Sequence, residues 1–325
     1  MWIKLKDNQA RPNASPLLVL ILAVVIDWLI GDPPNAWHPV AWFGRMAQAL
    51  ERRAPRDNPR AELLYGAGIT ASGIAIAALP ALAIERWLTG RGNPVWLPAR
   101  IVATAALLKI TFAWRGLIRA GQSVQRDLET RAPDNARADL CALVSRDTRE
   151  LEPSQLAAAA IESLAENASD SFVAPLFYYH LFGLPGAFVY RAVNTLDSMI
   201  GYRGRYEFLG KVTARVDDVL NFIPVRATAL LLVLAARLTR DEPRRAFQTM
   251  RRDHARTASP NAGYPMGAMA GALDVRLEKV GHYCLNENGR VSQPRDIQRA
   301  ARIVSVALGL AVVIGVLIEQ CKPKS

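Results

Sequence analysis

Acidic and amide side chains cluster in the middle third of the chain, within sequence that is otherwise apolar. They are Glu162, Glu166, Asn167, Asp170, Asn194, Asp197, Asp217, Asp218 and Asn221, with Arg215 and Arg226 alongside. Ionisable groups are costly to keep near a bilayer, so they usually face a cavity, a partner or a ligand. The cluster therefore predicts a functional site as well as a set of membrane spans.

Three carboxylates in this cluster share one helix face. Glu162, Glu166 and Asp170 follow an i, i+4, i+8 spacing, with Asn167 beside them, and like charges stacked in this way repel each other. Their function would be to hold Mg²⁺ through oxygen ligands or to face a group of arginines, and the alternative is a solvated acidic face. The apolar flanks, residues 156–161 and 172–179, favour the functional interpretation.

A second compact set of oxygen donors follows at Asp217, Asp218 and Asn221, close to Arg215. Carboxylates three or four residues apart can hold Mg²⁺ against a phosphate, because this ion prefers one or two carboxylates plus substrate oxygens. The spacing alone is a weak signal. It becomes stronger with Asn194 and Asp197 upstream and Arg226 downstream.

Two further motifs allow more than one interpretation. The run Ser259-Pro260-Asn261-Ala262-Gly263 continues with a glycine at every fourth residue, at Gly267 and Gly271. This spacing is typical of tight helix packing, and it also suits a backbone that closely approaches a phosphate or a large flat ligand. Asp27, Asp32, His38 and Pro39 form a polar group after the first apolar stretch, for which we expect a supporting role.

The positioning elements are membrane helices. In 325 residues with a mean hydropathy of +0.08, the stretch Leu63–Ile84 is free of charge and long enough to cross a hydrocarbon layer of roughly 30 Å. Ile303–Ile318 is the second clear span. Pro16–Ile30, Ile101–Trp114 and Ser171–Tyr190 are either further spans or buried, re-entrant or interfacial helices.

These patterns predict an all-α, polytopic integral membrane protein with amphipathic helices outside the bilayer. We expect one membrane domain, 1–325, with polar helical excursions at about 115–155 and 239–302. Nothing in the chain is strongly β-like. A short helix is expected at Val40–Arg53, and another begins at Pro153, with Ser154 suited to cap it. Lys4, Lys6 and Arg11 precede an uncleaved first membrane helix.

Charge and cysteine usage exclude several function classes. The net charge of +11 is scattered through nearly every loop, which suits anionic lipid headgroups and anionic substrates, whereas no nucleic-acid-binding module is recognisable. The three cysteines are far apart and odd in number, so they predict neither a disulfide framework nor a zinc site. Any metal would be bound by oxygen ligands.

Several longer motifs extend over most of the chain. They are Gly31-Asp32-Pro33 with His38-Pro39-Val40, Glu162-Ser163 with Ala165-Glu166-Asn167 and Asp170, Ala174 to Tyr178, Tyr190 to Met199, Asp217-Asp218 with Asn221, Pro224 and Arg226, and Ser259 to Gly263. In these motifs the chain resembles the adenosylcobinamide-phosphate synthases, membrane proteins of cobalamin biosynthesis. It departs from their pattern at Ser171, where glycine is expected, and in an extension, Met1 to Ser15.

The resemblance implies an enzyme that joins the carboxylate of adenosylcobyric acid to the amine of aminopropanol or aminopropanol phosphate. Such a ligase would use ATP and Mg²⁺. Glu166, Asp170, Asp217 and Asp218 would hold the metal or orient the amine, and one of them could act as general base. The remaining expected substrate contacts are Glu162, Arg191, Arg215 and Arg226 with Asn167, Asn194, Asp197, Asn221 and Asn261.

The resemblance further implies a multi-pass protein of the bacterial inner membrane, in contact with lipid, and makes other cobalamin-pathway enzymes its candidate protein partners. Two other classes stay open. A Mg²⁺-dependent membrane transferase acting on a lipid diphosphate would also carry paired acidic motifs in apolar helices. A transporter or a scaffold would use the polar residues as a translocation path or a docking surface.

Overall fold

The computed structural model describes residues 16–56, 58–90, 96–144, 146–202 and 204–321, so the N-terminal basic residues and the extension Met1 to Ser15 lie outside the described residues. The helices are α1 (Pro16–Leu29), α2 (Pro39–Glu51), α3 (Pro59–Gly90), α4 (Leu97–Lys109), α5 (Trp114–Glu129), α6 (Pro133–Leu140), α7 (Pro153–Ala168), α8 (Ala174–Ile200), α9 (Lys211–Leu238), α10 (Pro243–Asp253), α11 (Gly263–Leu273) and α12 (Pro294–Cys321). A π-helical turn, Ser169–Val173, joins α7 to α8, and a 3₁₀ turn, His254–Arg256, follows α10. The all-α prediction is confirmed.

Five helical segments within the described residues are long and apolar enough to cross a membrane. They are Pro59–Thr89, Leu97–Glu129, Pro153–Ile200, Lys211–Leu238 and Pro294–Cys321. The two clear predicted spans fall within the first and the last of these. Helix α1 is apolar but shorter, at 14 residues. The protein is therefore a polytopic helical membrane protein.

The segment Pro153–Ile200 folds back on itself instead of crossing as one straight helix. At Gly183 the backbone leaves the helical region, with φ 67° and ψ −155°, a combination that is essentially restricted to glycine. The Tyr178 and Tyr190 rings stack with their centroids 5.4 Å apart, although a straight helix would separate these residues by about 18 Å. The predicted span Ser171–Tyr190 is therefore two packed arms joined at a turn.

Glu85 of α3 stabilises this turn. Its Oε1 accepts a hydrogen bond at 3.0 Å from the backbone N–H of Leu184, the first residue after the break. The N–H groups at a helix start lack partners within the helix and carry a partial positive charge. A carboxylate there accepts a hydrogen bond from them and compensates the charge. Glu85 of α3 thus caps the start of the second arm of α8.

Helix α7 is buried along most of its length and carries the first set of site residues. Its alanines Ala157 to Ala160 lie in the core with Leu156, Ile161 and Leu164, because small side chains let neighbouring helices approach closely. It starts at Pro153 as predicted. The cap, however, is Glu152 instead of Ser154, since the Glu152 backbone N–H donates to Gln155 Oε1 at 2.8 Å in a capping box.

The polar excursion after α9 is a helix pair with a small hairpin. Gly267 and Gly271 face the backbone of α10, Gly263 faces the backbone of His254 in the turn after it, and a Cβ at Gly271 would meet the Arg245 carbonyl group, so the helix-packing interpretation of this glycine repeat is confirmed. The described residues include one short antiparallel pair, β1 (Leu277–Lys279) and β2 (Tyr283–Leu285), which the sequence pattern did not predict. With three residues each, these strands are too short for a period-two pattern to stand out.

Candidate functional site

The centre of the site is Asp170, which lies in the π-helical turn between α7 and α8. Such turns recur at functional positions because the extra residue redirects side chains out of the regular helical register. Asp170 Oδ2 accepts a hydrogen bond from Asn194 Nδ2 at 3.3 Å, and Asp170 Oδ1 lies 3.5 Å from the Tyr190 hydroxyl. The fold-back at Gly183 creates both contacts.

Helix α9 completes this network from the other side. Asn221 Oδ1 accepts a hydrogen bond from the Tyr190 hydroxyl at 2.8 Å, and Asn221 Nδ2 donates to Asp217 Oδ2 at 2.9 Å. Asp170 and Asp217 thus belong to one chain of contacts through Tyr190 and Asn221, and the two carboxylates repel each other electrostatically. A cation between them would relieve this repulsion.

The described residues leave the second oxygen of Asp217 without a hydrogen bond. Asp217 Oδ1 is buried and has no hydrogen-bond partner within the described part of the chain. A buried carboxylate oxygen without a partner is unfavourable unless a ligand satisfies it. This atom is the clearest place for a substrate or a metal ion to bind.

Asp197 and Asp218 extend the acidic surface towards the end of the site. Asp197 lies within electrostatic range of both Asp217 and Asp218, and Arg215 is an exposed cation that faces Asp218. The Asp218 backbone carbonyl accepts a hydrogen bond from Asn261 Nδ2 at 2.9 Å. Four carboxylates from three helical segments are therefore brought together: Asp170, Asp197, Asp217 and Asp218.

The predicted three-carboxylate face of α7 divides into two parts. Glu162 forms an ion pair with Arg146 from the loop before α7, so one of its oxygens is already bound. Glu166 carries no such close pair among the described residues, and it lies in the field of Glu162, Asp197 and Lys279. Glu166 therefore remains on the site face, whereas Glu162 is tied to the loop.

Asn167 makes its described side-chain contacts within α7 and with the π-helical turn that follows it. Its Nδ2 donates to the Ser163 backbone carbonyl and to Ser163 Oγ, both at 3.0 Å, and its Oδ1 accepts a hydrogen bond from Ser171 Oγ at 3.2 Å. Ser171, the residue that departs from the family pattern, thus fixes the Asn167 amide. The expected substrate contact of Asn167 would require exchange of these bonds.

Arg226 and Asn261 connect α9 to the start of α11, a contact called here the α9–α11 joint. The Arg226 guanidinium carbon lies 3.7 Å from the Phe222 ring centroid and 4.3 Å from that of Tyr264, and its Nη1 donates to the Phe222 carbonyl at 2.6 Å and to Asn261 Oδ1 at 3.3 Å. An arginine stacked between two rings is held by cation–π attraction. The described contacts of Arg226 are with this joint and not with Asp170.

Several polar residues of the site were not predicted. Tyr190 is fully buried and links Asp170 to Asn221, and its position four residues before Asn194 was the available signal. Arg146 comes from the loop before α7, and Lys279 and Tyr283 come from the distant β-hairpin; all three face Glu162 or Glu166. Burial, with the nearby charge of Glu162, raises the pKa of Tyr283 above its ordinary value.

The polar group after α1 forms a buried ion cluster. Lys109, only 3% exposed, lies 3.2 Å from Asp27 Oδ1 and also pairs with Asp32. His38 Nδ1 accepts the Val40 N–H at 3.2 Å and so caps α2. Burial raises the pKa of Asp32, but hydrogen bonds from His38 and Lys109 lower it more, so the pKa lies below its usual value.

The donor set of the site suits a metal that is shared with substrate. Within the described residues, no group of three or more His, Cys, Asp or Glu side chains is placed to hold a metal ion by itself. Asp170 and Asp217 supply two carboxylates, which is what Mg²⁺ uses when substrate oxygens and water complete its coordination. The three cysteines are free thiols.

These features define a polytopic helical membrane protein with a site rich in carboxylates and amides among its spans. The chain belongs to the CobD/Cbib protein family, whose pattern it matches over residues 20–304. It is 44% identical over 300 residues to a cobalamin biosynthesis protein CobD of Dehalococcoides mccartyi, covering 92% of this chain and 96% of the relative. The predicted resemblance to a cobalamin-biosynthesis family is confirmed.

Archaeal relatives match along a similar length. Probable cobalamin biosynthesis proteins CobD of Methanothermobacter thermautotrophicus and Pyrococcus abyssi are 42% and 41% identical over 274 and 297 residues. These alignments cover 84% and 90% of this chain and 88% and 93% of the relatives. No solved structure matches the chain. Because the relatives include archaea, a bacterial inner membrane stays a prediction.

Proposed function

We propose that this protein forms the amide bond between adenosylcobyric acid and aminopropanol or aminopropanol phosphate. The family places the chain in cobalamin biosynthesis. The observation that supports the proposal within the molecule is the network Asp170–Tyr190–Asn221–Asp217, which presents an unpartnered buried carboxylate oxygen among membrane helices.

The reaction requires activation of the acid and deprotonation of the amine. ATP would convert the carboxylate into a mixed anhydride with phosphorus, and the amine nitrogen would then attack the acyl carbon and displace the phosphorus-bearing group. The ammonium form of the amine must first lose a proton to a base. Asp217 Oδ1 is our candidate for the atom that binds Mg²⁺ or orients the amine, since it accepts no hydrogen bond from the described residues.

The other residues would act through charge and hydrogen bonding. Mg²⁺, when bound by Asp170 and Asp217 with Glu166 and Asp218 nearby, would neutralise phosphate oxygens and the developing negative charge. Arg215 would meet phosphate or carboxylate groups, and Asn194 would donate to a substrate oxygen. Arg226 and Asn261 would support this site from the α9–α11 joint, and Glu162 would hold Arg146 in place.

The proposal is tested by detecting the product directly. The purified protein in lipid nanodiscs is supplied with adenosylcobyric acid, aminopropanol phosphate or aminopropanol, ATP and Mg²⁺, and the amide is measured by mass spectrometry with each component omitted in turn. We expect the product only in the presence of the corrinoid acid, an amine and ATP. Absence of the amide under every combination, from protein that is folded, would overturn the proposal.

A further inference from the structure

A cavity of about 430 Å³ lies between α2, α3, α4 and the second arm of α8. Its walls are almost entirely apolar, with Phe43, Ile76, Pro80, Leu107, Ile110 and Phe188 among them. The volume falls in the range of small-molecule sites in proteins. The cavity is separate from the Asp170–Asp217 contacts described above.

Arg191 is the charged residue among those that line the cavity. Its Nε is buried and has no hydrogen-bond partner in the described part of the chain, and no described carboxylate forms an ion pair with it within 4.0 Å. Asp32 and Asp170 attract it from a distance, but Asp32 pairs with Lys109 and Asp170 bonds to Asn194. Among the described residues this arginine therefore lacks a close counter-ion, which is unfavourable in an apolar interior.

The cavity reaches the outer surface of the membrane helices. Trp42 and Ile76, which both line it, are each 48% exposed, and Ile76 lies in the membrane span of α3. Apolar side chains exposed on a membrane span face lipid. A lipid tail can therefore enter sideways without crossing water.

We propose that this cavity binds an anionic membrane lipid, with an acyl chain against the apolar walls and its acidic group at Arg191. Charge complementarity selects the occupant, because a neutral lipid would leave the guanidinium without a counter-ion and a small inorganic anion would leave the apolar walls unfilled. The bound lipid would supply the close anionic partner that the protein does not.

The test measures which lipid stays bound to the protein. Wild-type protein is reconstituted in nanodiscs of equal phosphatidylglycerol and phosphatidylcholine, released into the mass spectrometer, and its retained lipids are counted. We expect at least about tenfold preference for phosphatidylglycerol. Ala77→Trp, which fills the cavity from α3, should abolish retention, while Ala75→Trp, on the same helix but outside the cavity lining, should retain it.

Arg191→Met separates the charge from the apolar walls. We expect this variant to keep a lipid but to lose the preference for phosphatidylglycerol. Equal retention of both lipids by the wild type would overturn the proposal, and so would an unchanged preference in Arg191→Met. The proposal would also fail if Ala77→Trp retained as much lipid as the wild type. If Ala77→Trp does not purify as a single folded species, Ala77→Leu provides a smaller filling side chain for the same measurement.

Discussion

Asn194 Nδ2 lies 3.3 Å from Asp170 Oδ2 although 24 residues separate them in the chain. A straight helix of that length would place them about 36 Å apart. The contact exists because the backbone reverses at Gly183, between the two arms. The geometry of the carboxylate site therefore depends on one turn that contributes no side chain to it.

We predict that Gly183→Ala destabilises the protein by about 1–3 kcal/mol. The residue has a positive φ, and a Cβ added there would meet the carboxylate of Glu85, which caps the following helix. Thermal unfolding in detergent micelles, followed by tryptophan fluorescence, measures the change in the unfolding midpoint.

The matched control is Gly68→Ala on the exposed face of α3. A Cβ there would have open space around it, so this variant should be neutral or stabilising by roughly 0.5–1 kcal/mol. Equal midpoints for Gly183→Ala and Gly68→Ala would show that the turn at Gly183 does not constrain the fold.

A second prediction concerns Asp217. Asp217→Asn removes the charge while keeping the hydrogen-bonding shape, so the contact with Asn221 can persist as the site loses a buried anion. If the proposed amide synthesis holds, we expect a loss of kcat on the order of 10²–10³, the usual effect of removing one electrostatic group from a site. Initial rates of amide formation over a series of Mg²⁺ concentrations provide the measurement.

Asp147→Asn serves as the control for this change. Asp147 is 57% exposed and lies in the loop before α7, so the same substitution there should leave the rate within about twofold. A rate in Asp217→Asn that matches the control would remove Asp217 from the proposed machinery.

The sequence predicted the helices and the groups of site residues better than it predicted their contacts. Periodicity located Glu162, Glu166 and Asp170 on one face, because neighbours at i, i+4 and i+8 are fixed by local helix geometry. The reversal at Gly183 was not predicted, since glycine is also tolerated within helices that run straight. The role of Arg146 depends on a loop contact that no local spacing encodes.

A third prediction follows from the Arg146–Glu162 ion pair. Glu162 is buried and Arg146 is mostly buried, and removing one partner of such a pair strands the other charge in the interior. Arg146→Met should therefore destabilise the protein by about 3–5 kcal/mol. Unfolding midpoints in micelles, measured for the single variants and the double variant, test this expectation.

The double variant Arg146→Met with Glu162→Gln should regain most of the lost stability, because no uncompensated charge remains. A double variant as unstable as Arg146→Met alone would mean that the packing of the arginine, and not its pairing with Glu162, holds the loop. The same proteins, assayed for amide formation, separate a structural role of Glu162 from substrate binding.

The last prediction concerns pH and the extramembrane residue Asp253, at the end of α10. Burial raises its pKa, but hydrogen bonds from Arg252 and from the Asn286 N–H, with the charges of Arg252 and Arg256, lower it more, so the folded pKa lies below the ordinary 3.8. A depressed carboxyl pKa adds stability that is fully present above the unfolded pKa and is lost as pH falls through the folded value.

The stability difference between wild type and Asp253→Asn should be constant above about pH 5 and shrink below about pH 4. Unfolding midpoints from about pH 7 down to about pH 2 measure it, with Asp134→Asn, at a position 93% exposed, as the control that should show little difference from wild type. A difference that stays unchanged down to the acid limit would mean that Asp253 holds α10 to Asn286 by shape and hydrogen bonding alone, without a contribution from its charge.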